Sequence, residues 1–369
     1  FVTPELREAM GAASVRLAQA VGYVNAGTME FLVDDARNFY FLEMNTRIQV
    51  EHPVTEEVTG LNLIQMQFDV AMGKPLALKQ ADVTITGHAI EARLCAEDPA
   101  DGFKPQTGRL ESFGSLHNEV RCDSGVRPGD RVSGDYDSML AKIIARGATR
   151  EEARAALATE LQQFAASGMR TNREFLIHLL ALEAVKRADV DIAWLGREPA
   201  FTDENLDGDG GIVAALALAA WQGIGWRSTG QSRTIVKLRE RAATKSFAIL
   251  DGAVSGCRAT QTHHRPAPDL SFRFLDLTQV GGSSRPFTVS RFGNNVEVRS
   301  VDGKISATFE DVTYAPAERK DSAGDGVVRA PMAGKIVSVR VEPGAKVARG
   351  DLLATLEAMK MEHEIRAAA

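Results

Sequence analysis

Two acidic residues, Glu30 and Glu43, stand on either side of a short polar stretch, Asp35 to Asn38, that separates two strand-like runs. That is the pattern of a β-hairpin. If Asp34 and Phe39 close the hairpin, facing residues have numbers with a constant sum, and Glu30 falls opposite Glu43. Like charges facing each other across a ribbon repel unless a cation lies between them. From Glu43 onward every second residue is polar (Asn45, Arg47, Gln49, Glu51), with Met44, Thr46, Ile48 and Val50 in between. On one continuous strand all five polar groups would share a face. Oxygen atoms from Glu30, Glu43 and Asn45 suit Mg²⁺, a hard cation that keeps waters and bridges phosphates. Arg47 offers a planar fork for a small planar anion, and Glu51 a carboxylate placed to act as a base. A solvent-facing strand of alternating charge is the plain alternative; the opposed glutamates and the unbroken polar series weigh against it.

A second candidate is Lys360, in Glu357-Ala358-Met359-Lys360-Met361-Glu362, next to a strand-like run from Leu352 to Glu357. Small and flexible neighbours at a strand junction make its ammonium project instead of pack. An amine on a four-carbon stem is the right group to form an amide with a carrier acid.

The elements that must hold these groups can be read in outline. A helix is predicted from about Pro4 to Val21, capped by Thr3 and ended by Gly22, and another from about Leu61 to Met72, ended by Gly73. Thr149 with Glu152, and Thr171 with Glu174, have the spacing of capping boxes that open amphipathic helices. From about Ala200 to Pro316 an Ala-rich apolar helix (Ile212 to Trp221) precedes short β-rich runs such as Phe287 to Ser290 and Asn295 to Ser300, the texture of an antiparallel sheet or barrel. Ala315 to Gly326 is a polar linker. Val327 to Ala369 alternates again, with turns at Pro343-Gly344 and Arg349-Gly350.

A chain of 369 residues exceeds one compact core, and two or three domains are expected. A formal net charge of -6 gives no footprint for nucleic acid or an anionic membrane surface, so neither is expected as a partner. Cys95, Cys122 and Cys257 lack the spacing of a metal site or disulfide framework, which points to a reducing compartment. The longest apolar stretch is far shorter than the roughly 20 residues of a membrane crossing.

The segments Gly27-Thr28-Met29-Glu30-Phe31 and Phe41 to Glu56 (FLEMNTRIQVEHPVTE) closely resemble the metal and bicarbonate site of biotin carboxylases, which are ATP-grasp enzymes. The resemblance continues through His88 to Pro99 (HAIEARLCAEDP), Phe103 to Gly108 and Tyr136-Asp137-Ser138-Met139, covering residues 1 to 190. It implies that Glu30, Glu43 and Asn45 hold the Mg²⁺ or Mn²⁺ ions that bridge ATP. It also implies that Arg47, Gln49 and the backbone amide of Val50 bind bicarbonate, and that Glu51 deprotonates it to give carboxyphosphate. Arg93 would stabilise the enolate form of biotin. Ala358-Met359-Lys360-Met361 resembles the mark of a biotinyl carrier domain, which implies that biotin is joined covalently to Lys360 by a biotin protein ligase.

Together these resemblances imply the alpha subunit of a biotin-dependent acyl-CoA carboxylase, in a multidomain α+β architecture. Residues 1–190 would be the C-terminal part of an ATP-grasp biotin carboxylase. Residues 191–316 would form a helix plus antiparallel β-barrel linking domain that contacts a separate carboxyltransferase (beta) subunit in a hetero-oligomer. Residues 317–326 would be the linker, and 327–369 the N-terminal half of a biotinyl/lipoyl-type flattened β-barrel. The implied location is the cytoplasm of a bacterium or the mitochondrial matrix of a eukaryote. The family's glycine-rich lid and ATP-holding lysines belong upstream of Phe1, so these residues alone are expected neither to bind ATP tightly nor to carboxylate biotin. Residues 327–369 alone are likewise expected to fold poorly and to be poor substrates for the ligase. A non-catalytic carrier or scaffold is the competing reading; a different ATP-grasp ligase and pyruvate carboxylase fit less well. The acyl-CoA, whether acetyl, propionyl, 3-methylcrotonyl or geranyl, stays open.

Overall fold

The computed structural model describes residues 1–115, 120–198, 214–216, 233–240, 243–250, 253–254, 257–266, 271–279, 284–292, 294–300, 306–313, 328, 330, 334–358 and 361–367. The chain divides into two compact units. The first comprises Phe1–Ala92, Glu119–Cys122 and Lys142–Thr159, the second Arg93–Asn118, Asp123–Ala141 and Glu160–Ala369. Compactness therefore divides the chain elsewhere than the change of texture near residue 190.

In the first unit, helix α1 (Pro4–Ala20) starts where Thr3 Oγ1 accepts the Leu6 amide at 3.3 Å and Pro4 fills the first turn. An antiparallel ribbon follows, β1 (Thr28–Val33) with β2 (Phe39–Asn45). Asp34 closes its loop by accepting from the Asn38 backbone N–H at 2.8 Å and from its side-chain amide at 2.9 Å. Val33 faces Phe39, Leu32 faces Tyr40 and Phe31 faces Phe41; the register then shifts, and Glu30 faces Glu43, Met29 Met44 and Thr28 Asn45. The expected closing pair, Asp34 with Phe39, is thus not formed. Leu42 is one extra residue in β2, and this bulge restores the offset and leaves the two glutamates opposed.

A bulge changes which residues share a face, because side chains alternate along a strand. Phe31, Phe39 and Phe41 lie together, with Phe31 edge-on to the other two at ring-centroid distances of 5.5 and 6.1 Å. The cross-strand pairs put Glu30, Glu43 and Asn45 on the opposite face. Simple alternation along β2 would have mixed Glu43 and Asn45 with the two phenylalanines.

After β2 the chain turns into helix α2 (His52–Thr59), which ends at Gly60 in the left-handed region, φ 73°, and helix α3 (Leu63–Ala71), capped by Asn62 Oδ1 accepting the Gln65 amide at 2.8 Å. Helix α4 (Arg150–Gln163) opens on Thr149, whose Oγ1 accepts the Glu152 amide at 3.2 Å; the Glu152 carboxylate reaches back to the Ala148 N–H at 2.9 Å. The expected box is present, closed one residue earlier than the standard form. Strands His88–Cys95, Met139–Gly147 and Arg121–Ser124 form a three-stranded sheet in that order.

In the second unit, Ala96, Leu110, Val132 and Leu140 form a buried cluster flanked by Phe113, Val126 and Met169. The strands from Arg233–Glu240 to Ser306–Asp311 close into an antiparallel barrel, the first pairing with the last through Leu238 with Asp311 and Arg239 with Glu310. Alternate residues, among them Val236 and Leu238, Val296 and Val298, are buried, as a small filled barrel requires. The anticipated strands at 287–290 and 295–300 are part of it. Of the anticipated helix at Ile212 to Trp221, residues 214–216 are helical and buried, and the rest lies outside the described residues.

Strands Lys335–Val339, Leu352–Ala358 and Met361–Arg366 make a three-stranded antiparallel sheet. The two anticipated turns are present, with Gly344 and Gly350 at φ 88° and 91°. Gly334 leads into the first strand, and a Cβ there would lie 2.5 Å from the Glu357 carbonyl oxygen. In the complete protein, Gly334→Val is therefore expected to weaken this sheet by about 1–3 kcal/mol. Hydrogen exchange read over residues 352–358 and 361–366 should speed up accordingly, and protection equal to the wild type would refute the tight approach.

Candidate functional site

The candidate site of the first unit is built on the polar face of the ribbon. Asn45 Nδ2 donates to Glu30 Oε1 at 2.8 Å, and the Arg47 guanidinium donates to Asn45 Oδ1 at 3.3 Å and to the Ile48 carbonyl at 3.2 Å. Glu30, Asn45 and Arg47 thus form a connected series, with Glu43 facing Glu30 across the strands. Glu30 and Asn45 are half-buried, while Glu43 and Arg47 are exposed. A series held at both ends aims the guanidinium at little entropic cost when an anion arrives.

The expectation that Glu43, Asn45, Arg47, Gln49 and Glu51 share one strand face needs correction. β2 stops at Asn45, which pairs with Thr28, the first residue of β1, so nothing remains for the chain beyond Asn45 to pair with. Residues 46–50 run outside any strand, and Glu51 is the N-cap of α2, with Pro53 in the first turn. His52 N–H to the Gln49 carbonyl, 3.3 Å, and Val54 N–H to the Glu51 carbonyl, 3.1 Å, turn the chain there. Only Glu43 and Asn45 of the five lie on the strand; the others reach the site region from a loop.

Among the described residues no group of three or more His, Cys, Asp or Glu is gathered as for a metal ion. Two carboxylates and an amide are, however, the kind of partial set Mg²⁺ uses when waters and phosphate oxygens complete its shell. Glu30, Glu43 and Asn45 fit such an ion.

Next to the loop lies a polar network absent from the sequence reading. Lys142, on the strand Met139–Gly147, donates to the Val50 carbonyl at 3.2 Å and lies 3.2 Å from His52 Nε2. His52 Nδ1 is 3.4 Å from Glu56 Oε2, which also takes the Arg121 guanidinium at 2.8 Å; Glu56 Oε1 accepts the Leu63 amide at 2.7 Å. Burial alone would push the Glu56 carboxyl up, but the hydrogen bonds from Arg121 and Leu63 and the charge of Arg121 outweigh it and hold Glu56 below the usual carboxylate range. His52, just before Pro53, belongs to this network through its ring while its backbone N–H turns the chain onto the Gln49 carbonyl.

In the second unit, Arg93 lies on the strand His88–Cys95 with its side chain exposed. Buried Asn172 clamps that strand, its Nδ2 donating to the Arg93 carbonyl at 3.0 Å, its Oδ1 accepting the Cys95 N–H at 2.9 Å, and its own N–H reaching the Cys95 carbonyl at 3.1 Å. Asn172 is also the N-cap of helix α5 (Arg173–Ala181), so the box anticipated between Thr171 and Glu174 is not formed; Glu174 pairs with the Arg173 guanidinium instead. Burial and the nearby charges of Glu97 and Asp137 push the Cys95 thiol up to about 12, which removes it as a nucleophile. Lys360 and Met359 lie outside the described residues; the strands on either side pair as far as Ala358 with Met361.

Comparison with known proteins meets this geometry at three places. Residues 1–79 match the family model for the carbamoyl-phosphate synthase L chain ATP binding domain, 91–197 that for the biotin carboxylase C-terminal domain, and 326–369 that for biotin-requiring enzymes. Mouse methylcrotonoyl-CoA carboxylase subunit alpha is 33% identical over 99% of this chain and 55% of its own length, and the propionyl-CoA carboxylase alpha chain of Ruegeria pomeroyi is 34% identical over 100% and 60%. The chain is a homologue of the alpha subunits of biotin-dependent acyl-CoA carboxylases. It spans little more than half the length of these relatives. Among solved structures, the biotin carboxylase domain of Hydrogenobacter thermophilus 2-oxoglutarate carboxylase, in complex with MgADP, ADP and bicarbonate, superposes with a TM-score of 0.51 at 37% identity, over 53% of this chain and 43% of that one. Among the described residues of this alpha-subunit homologue, no helix is long and apolar enough to cross a membrane.

The Glu56 network yields a stability prediction. A carboxyl held below its unfolded value stabilises the fold above that value, about 4.3 for a free Glu, and loses the contribution as pH falls through its folded value. Glu56→Gln should therefore cost about 1–3 kcal/mol at pH 7 in denaturant unfolding, and the gap from wild type should close on acidification. A gap that persists unchanged at pH 3 would contradict the ion pair.

Proposed function

We propose that this chain is the biotin carboxylase and biotin carrier part of an acyl-CoA carboxylase alpha subunit. Its reaction is ATP-dependent carboxylation, by bicarbonate, of biotin carried on Lys360; the biotin then delivers CO₂ to a separate carboxyltransferase subunit that carboxylates an acyl-CoA. The observation that carries the reading is the facing pair Glu30 and Glu43, joined through Asn45 to an arginine aimed from a loop. The domain division read from sequence, 1–190, 191–316 and 327–369 with a linker between the last two, belongs to the same proposal.

Each residue has a role its chemistry suits. Glu30, Glu43 and Asn45 would hold Mg²⁺ or Mn²⁺, which when bound neutralises phosphate charge on ATP. Arg47, Gln49 and the Val50 N–H hold bicarbonate, the guanidinium in bidentate fashion. Glu51, at the mouth of α2, takes the bicarbonate proton as its oxygen attacks the γ-phosphate. Arg93 would stand as a fixed positive charge toward bound biotin, favouring its carboxylation electrostatically. Lys360 supplies the amine through which a biotin protein ligase attaches that carrier. With mitochondrial and bacterial relatives alike, the cytoplasm of a bacterium or the mitochondrial matrix is the proposed location.

The test uses the complete subunit assembled with its carboxyltransferase partner. Glu51→Gln should lower bicarbonate-dependent ATP cleavage about 100-fold or more while leaving the biotin label intact. Lys360→Arg should abolish the label and acyl-CoA carboxylation together. Normal turnover in Glu51→Gln would favour the carrier-only reading, and a persisting label in Lys360→Arg would move the attachment site elsewhere.

A further inference from the structure

We infer that Lys142 is a positioning residue for bicarbonate activation, acting through Val50 and Glu51; this rests on the reading of Arg47 to Glu51 given above. The loop from residue 46 to Glu51 carries the groups assigned to the anion and its proton, yet no strand ladder holds it. Its local hydrogen bonds run from the His52 N–H to the Gln49 carbonyl and from the Arg47 guanidinium to the Ile48 carbonyl and to Asn45 Oδ1 at the end of β2. Lys142 comes from a strand 92 residues away in sequence and grips the loop at the Val50 carbonyl.

The grip is itself fixed in direction. An ammonium has only donors, so toward Lys142 the His52 Nε2 must act as acceptor, and the single ring proton then sits on Nδ1, 3.4 Å from Glu56 Oε2 but outside hydrogen-bond geometry. Glu56 is held in turn by Arg121 and the Leu63 amide, and its side chain is 6% exposed against 10% for His52, so water competes weakly for either. Lys142 follows Ala141 and precedes Ile143, both buried, which anchors its backbone. The result is a rigid arm that ends on the peptide joining Val50 to Glu51. Losing it would let the anion-binding amide and the base drift relative to Arg47, and misplacement on the scale of 1 Å is costly to a reaction that depends on alignment.

The experiment compares Lys142→Met, Lys142→Arg and Glu51→Gln in the complete subunit with its carboxyltransferase partner, following ATP cleavage at varied bicarbonate and varied ATP. Lys142→Met should raise the bicarbonate KM about tenfold or more and lower kcat, with the ATP KM staying within about twofold. Lys142→Arg, which keeps a cationic donor, should recover most of the loss. A purely structural role would instead move both KM values together or lower Tm without this split. If Lys142→Met does not fold, Lys142→Gln should show the same split. A bicarbonate KM within about twofold of wild type in a folded Met or Gln variant overturns the inference. A dead Glu51→Gln beside a normal Lys142→Met sinks only the role of Lys142; an active Glu51→Gln sinks the reading beneath it.

Discussion

Two carboxylates set face to face across an antiparallel ribbon are a destabilising arrangement, and the first unit is organised around making it tolerable. The Asn45 amide hands Glu30 a donor, the Arg47 guanidinium stands one link further along, and Glu43 is left toward solvent where its charge is screened. What these partners do not supply is a full positive charge between the two glutamates. On the proposed reading, a bound cation would supply that missing charge.

Each unit uses long-range hydrogen bonds to hold a segment that carries charged side chains. Lys142 reaches the loop that follows β2, and in the second unit Asn172 holds the strand that bears Arg93 with three hydrogen bonds. Lys142 gives its loop a fixed backbone without surrendering the loop's polar groups to a ladder, whereas Asn172 secures the free edge of a strand already paired in a sheet. Elements of regular structure hold their backbone amides in mutual bonds; loops clamped in this way keep amides available for ligands.

Much of this was legible in the sequence, and the failures have physical causes. The opposition of Glu30 and Glu43 was readable from the hairpin pattern, although the closing pair was taken one residue off; Leu42 carries no mark of a bulge, so the two offsets could not be seen to cancel. The polar series to Glu51 obeys a period of two, but a strand also needs a partner, and β1 begins too late to provide one. Pro53 was a visible signal that a helix starts there. The barrel was readable from short turn-bounded runs, and Thr149 from its capping box. Asn172 was hidden because the stronger-looking box lay on its neighbours Thr171 and Glu174. The Lys142, His52, Glu56 and Arg121 network joins segments distant in sequence, and a single sequence holds no signal for such meetings. The lysine between two methionines is read from its motif alone, since it lies outside the described residues.

The bulge at Leu42 has one more consequence. Because the bulge takes Leu42 out of the alternation, aromatic rings fall to one side of the ribbon and acids to the other as if that residue were absent. Evolution can exchange Leu42 for many other side chains and keep the sorting intact. A one-codon deletion of Leu42 would make Phe41 and Glu43 neighbours, and plain alternation would then keep them on opposite faces with Glu30 still opposite Glu43 in an unbroken register.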